Sequence, residues 1–84
     1  MQKLNNLRLK IDLVDQEILR LLEQRRALVR EVFVYKEKKG LSLQDETREQ
    51  DIVEVLSQKT TQFSRAEIQY IWHTVITSSY NNPS

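Results

Sequence analysis

Cysteine is absent from the 84 residues, which excludes a disulfide, a thiolate nucleophile and a zinc–thiolate site. With one histidine, His73, there can be no histidine cluster, so a metal site is not expected. Charge of one sign is lacking too: 13 basic against 12 acidic side chains leave a net charge of +1, which argues against a nucleic-acid partner held by bulk charge. No stretch approaches the ~20 consecutive apolar residues of a membrane span, and the opening Met1–Asn6 has no signal-peptide core. A cytoplasmic location without a membrane partner is the resulting expectation. One glycine and one proline leave little material for hairpins, so an all-α fold is favoured before any periodicity is considered.

What the sequence does hold, 39% hydrophobic and 30% charged side chains, describes a single small domain over residues 1–84. From Leu4 the apolar positions fall at Leu7, Ile11, Val14, Ile18 and Leu21, then at Leu28, Val32 and Tyr35, the three-and-four spacing of one helical face. The spacing predicts one long helix over about residues 4–38, stopped by Gly40 after a basic run that suits a helix C-terminus. Asp45 is the expected cap of a second helix, whose stripe is Glu49, Ile52, Val53 and Leu56. Ser64 and Glu67 read as a capping box opening a third helix, which is expected to bury Ile68, Ile71, Trp72, Val75 and Ile76 and to fray by Pro83.

A helix of about 35 residues is about 52 Å long, whereas a compact chain of this size is about 30 Å across. Two shorter helices cover only part of such a stripe, and a second, identical chain is the simplest cover for the rest. An intertwined homodimeric helical bundle is therefore expected.

Arg25 stands in this stripe where the repeat calls for an aliphatic residue. A guanidinium there needs an anion, either a protein carboxylate acting as a register device or an anionic ligand. Lys36 follows eleven residues later, about 1,100° of rotation and so nearly the same face, with Val32 between them. Arg48 and Glu49 head the second helix, and Ser79 continues the stripe of the third. Three helices thus direct polar groups toward an apolar interior, a combination suited to a small dianion. Arg8, seventeen residues before Arg25, is about 25 Å away along the helix and reaches such a pocket only from a second, antiparallel chain.

Taken together, Leu7-Arg8, Ile11, Asp15, Leu21-Leu22, Arg25-Arg26, Lys36, Asp45, Arg48-Glu49 and Ile52 resemble the all-helical, AroQ-type chorismate mutase family over nearly the whole chain. The resemblance implies a two-fold dimer of three-helix chains and the Claisen rearrangement of chorismate to prephenate, on the route to phenylalanine and tyrosine. By the same resemblance Arg8 is supplied in trans and Arg25 in cis to the two substrate carboxylates. Lys36 then contacts a carboxylate and the ether oxygen, and Glu49 receives the ring hydroxyl. Asp45, Arg48 and Ser79 complete the implied binding set. Such a pericyclic reaction has no covalent intermediate and no proton transfer, in keeping with a chain that has no cysteine. The family commonly carries a glutamine one turn after the matched serine; here that place is Pro83, beside Asn82, or Ser78 and Asn82 form the pair. Two other readings stay open: an isochorismate pyruvate lyase on the same scaffold, and a weakly active or non-catalytic dimeric module modulating a shikimate-pathway enzyme.

Overall fold

A computed structural model describes residues 1–43 and 47–80, Tyr80 by its backbone only. The described residues are all-α: α1 runs Gln2–Lys39, α2 Arg48–Ser57 and α3 Arg65–Tyr80. Among them no helix is long and apolar enough to cross a membrane. By internal contacts the chain divides into two units, Met1–Val32 and Phe33–Ser84, and the division falls inside α1.

The first unit is helix throughout from Gln2. No residue of α1 is buried, and its aliphatic stripe, from Leu4 and Leu7 through Ile11, Val14 and Ile18 to Leu21, is exposed at every position. The amphipathic period that predicted the helix therefore has no cover within this unit. On the polar flank, the Arg20 guanidinium pairs with Glu17 one turn earlier, which holds the Glu17 carboxyl below its usual range.

The second unit opens with the last turns of α1. Gly40 takes φ +66°, and the two hydrogen bonds that close the helix form around it, Gly40 N–H to Glu37 O at 3.2 Å and Leu41 N–H to Lys36 O at 2.8 Å. This paired pattern satisfies carbonyls that a helix end otherwise leaves bare, and it needs a residue free to enter the left-handed region.

Helix α2 begins later than expected. Its cap position is Thr47 (φ −93°, ψ −12°), two residues beyond Asp45, and Asp45 itself lies outside the described residues. Glu49 and Asp51 still place negative charge in the first turn, where the helix dipole favours it.

The expected capping box at the head of α3 is present in full. Ser64 N–H donates to Glu67 Oε1 at 2.9 Å, and Glu67 N–H donates to Ser64 Oγ at 3.1 Å.

α2 and α3 pack against each other as an antiparallel pair. Glu54, late in α2, pairs with Arg65 at the start of α3, and Glu49, early in α2, pairs with His73 further along α3. Between them lie the buried apolar residues Val53, Ile68 and Ile76, at 2%, 5% and 8% exposure. Each such side chain contributes about 1.5–3 kcal/mol, which makes a small core for the unit. The expectation of a broader α3 core needs correcting: Trp72 and Val75 are only half-buried, and Ile71 is exposed. Ile71 lies within the stretch of α3 that runs beside α2, between Arg65 and His73, but on the flank of the stripe.

Candidate active site

Of the residues singled out in the sequence, Arg8 and Arg25 belong to the first unit. Arg8 is exposed on α1 and Arg25 is half-buried, as are Arg26 and Val29 beside it. Seventeen residues of helix separate Arg8 from Arg25, about 25 Å, so the unit does not bring them together.

The second unit holds Lys36, Arg48, Glu49 and Ser79. Lys36 is half-buried on the last turns of α1, and its carbonyl is the acceptor of the Leu41 N–H in the helix-ending motif around Gly40. The position of this cation along α1 is thereby tied to a turn that only a left-handed residue completes without strain.

Arg48 and Glu49 are the first two residues of α2, the arginine exposed and the glutamate half-buried. Glu49 lines a cleft of about 240 Å³ between α2 and α3, together with Gln50, Val53, Arg65 and Gln69. The cleft offers a carboxylate, two amides and a guanidinium whose partner is Glu54. Lys36 and Arg48 are not among its lining residues, so it is not by itself a cradle for a dianion.

Ser79 is half-buried near the end of α3, and its hydroxyl donates to Val75 O at 2.9 Å. Ser78 makes the same bond to the same carbonyl at 2.9 Å, and Thr74 and Thr77 donate back to Tyr70 O and His73 O at 3.2 and 2.8 Å. A hydroxyl has one proton, so Ser79 must rotate away from its own helix before it can donate to a ligand. Asp45, Asn82 and Pro83 lie outside the described residues.

One contact was not read from the sequence. His73 turns its Nδ1 to both oxygens of Glu49, at 3.0 and 3.2 Å. A carboxylate only accepts, so Nδ1 carries the proton and donates. The signal available was positional: in an antiparallel pair, residues at similar distances on either side of the connection meet, and Glu49 with His73 satisfies that condition as Glu54 with Arg65 does. Among the described residues, no group of three or more His, Cys, Asp or Glu is arranged to hold a metal ion.

Against known proteins, residues 7–82 match the family model for chorismate mutase type II. The match spans Arg8, Arg25, Lys36, Asp45, Arg48, Glu49 and Ser79, and it ends one residue before Pro83. No curated protein and no solved structure matches the chain.

Proposed function

The chain belongs to the chorismate mutase type II family, and on that premise we propose that it catalyses the rearrangement of chorismate to prephenate as a homodimer, each chain a single domain over residues 1–84. The observation that carries this reading is the family match over 7–82, which contains every polar residue the chemistry requires except the late amide.

Each proposed role follows from the substrate's chemistry. Chorismate is a dianion whose two carboxylates have to be gathered so that the reacting carbons approach in a chair-like conformation. Arg25, half-buried on α1, binds one carboxylate, and Arg8 from a second chain binds the other. As the C–O bond breaks, the ether oxygen gains negative charge, and a fixed ammonium at Lys36 interacts more strongly with it then than in the ground state. Glu49 accepts the ring hydroxyl, Arg48 and Asp45 position the ring end, and Ser79 approaches a carboxylate. Half-burial of Arg25, Lys36, Glu49 and Ser79 supports this assignment, since partly desolvated polar groups act more strongly on a ligand than solvated ones. The chain's own residues supply all of these roles, and the proposal invokes no cofactor. The proposed setting is aromatic amino-acid biosynthesis in the cytoplasm.

The bare aliphatic stripe of α1 supports the dimer. A second copy supplies both an apolar surface of matching period and the arginine that one chain cannot bring to its own Arg25.

One feature favours a second reading, a weakly active or non-catalytic dimeric module: Pro83 stands where an amide donor to the ether oxygen is usual. Following chorismate absorbance with product identification separates the possibilities. Prephenate supports the mutase; pyruvate and salicylate from isochorismate indicate a lyase; no turnover above background at saturating substrate leaves the module.

A further inference from the structure

We infer that His73 is a positioning residue for Glu49, a role that rests on the mutase reading above. Glu49 is anchored on α2 and His73 on α3, so their contact ties the carboxylate to the opposite helix rather than to its own. The single Nδ1–H lies within hydrogen-bond distance of both oxygens. A donor shared in this way occupies one edge of the carboxylate and turns its remaining lone pairs outward, toward whatever enters beside α2. Without it, the glutamate side chain rotates freely about its terminal torsion and presents its oxygens in no preferred direction. A ring hydroxyl then loses a preorganised acceptor, although the acceptor itself survives.

The neighbouring chemistry offers Glu49 no equivalent anchor. Among the described residues lining the cleft, Arg65 is engaged by Glu54, and neither Gln50 nor Gln69 is hydrogen-bonded to Glu49. The Glu49 side chain is 29% exposed and that of His73 62%, so solvent screens the contact and its effect on turnover is modest. The pairing also sets the tautomer. In the neutral ring, an Nδ1–H committed to the carboxylate leaves Nε2 as the acceptor nitrogen.

Two measurements on the full chain test this. Long-range ¹⁵N–¹H spectra of the imidazole should show a protonated Nδ1 in the ligand-free protein, and Glu49→Ala, which removes the acceptor, should abolish that preference. In steady-state kinetics with chorismate, His73→Ala should lower kcat/KM by roughly three- to tenfold. His73→Asn, whose amide can donate from about the same place, should recover most of the loss. In a Glu49→Ala background, which has no acceptor left to position, His73→Ala should cost nothing further. A wild-type imidazole without the Nδ1 proton, a His73→Ala enzyme with unchanged kinetics, or losses that simply multiply with Glu49→Ala each overturn the inference. A protonated Nδ1 in a chain that turns over no chorismate instead sinks the functional reading and leaves the pairing in place.

Discussion

Lys36 is the residue at which charge and timing meet in the proposed reaction. It is half-buried, on a turn whose carbonyl is held by Leu41 N–H, and its ammonium is assigned to the oxygen that becomes anionic. Removal of one preorganised donor at such an oxygen costs about 3–4 kcal/mol, so Lys36→Ala should reduce kcat by roughly two to three orders of magnitude. A loss confined to KM would show that Lys36 only binds. The exposed carboxylates make a different prediction. Arg65 holds the Glu54 carboxyl below its ordinary range by hydrogen bond and by charge, with the Gln58 amide adding to it; Ser64, through its N–H and then its hydroxyl, does the same to Glu67. Both groups release protons more readily folded than unfolded. Their stabilisation is therefore complete above the ordinary value of 4.5 and is lost as pH falls through the lower folded values. Glu54→Gln and Glu67→Gln should each flatten the acid limb of stability, read as urea midpoints between about pH 5 and 3. The sequence showed the Ser64–Glu67 pair because a capping box is local. It did not show Glu49–His73, because that pair depends on how two helices fold back on one another.

At the scale of an element, the ends of the helices were the legible part. Gly40 marked the end of α1 and Ser64 the start of α3, each through chemistry that spans only a few residues. The start of α2 is marked less sharply: its cap position is Thr47, with helical backbone angles and no side-chain capping bond, and Asp45, the cap read from the sequence, lies outside the described residues. Burial was legible only where periodicity met a covering helix: Val53, Ile68 and Ile76 are enclosed, whereas Ile71, of equal hydropathy, is not. The long stripe of α1 was visible as a pattern, but one chain cannot show what covers it. The Gly40 turn gives the element-scale prediction. A Cβ at Gly40 meets no atom within 4 Å, so Gly40→Ala introduces no clash and only the strain of a left-handed backbone. It should destabilise the chain by about 1–2 kcal/mol, and frayed terminal turns should lower kcat through Lys36 more than they raise KM. A thermal melt and a kinetic run on the same sample check both halves.

For the molecule as a whole, the prediction concerns shared sites. Arg8→Ala and Arg25→Ala chains should each be nearly inactive alone. Mixed, and given time to exchange subunits, they should recover about one working site per mixed dimer, since one of the two pockets then draws both arginines intact. Exchange demonstrated by mass labels without recovered turnover would show that each chain completes its own site. The family could be read from residues scattered along the chain because their spacing is a property of the sequence, whereas the proposed convergence of Arg8 upon Arg25 would be a property of an assembly, which no single chain displays.

The uncovered face of α1 carries one more consequence. Within a single chain the aliphatic side chains from Leu4 to Leu21 all meet water, so if a second copy hides them, as proposed, dilution acts as a denaturant. Its melting midpoint should climb with concentration, each tenfold increase adding about 1.4 kcal/mol to the standing of the native form, and its refolding should slow as the sample is thinned.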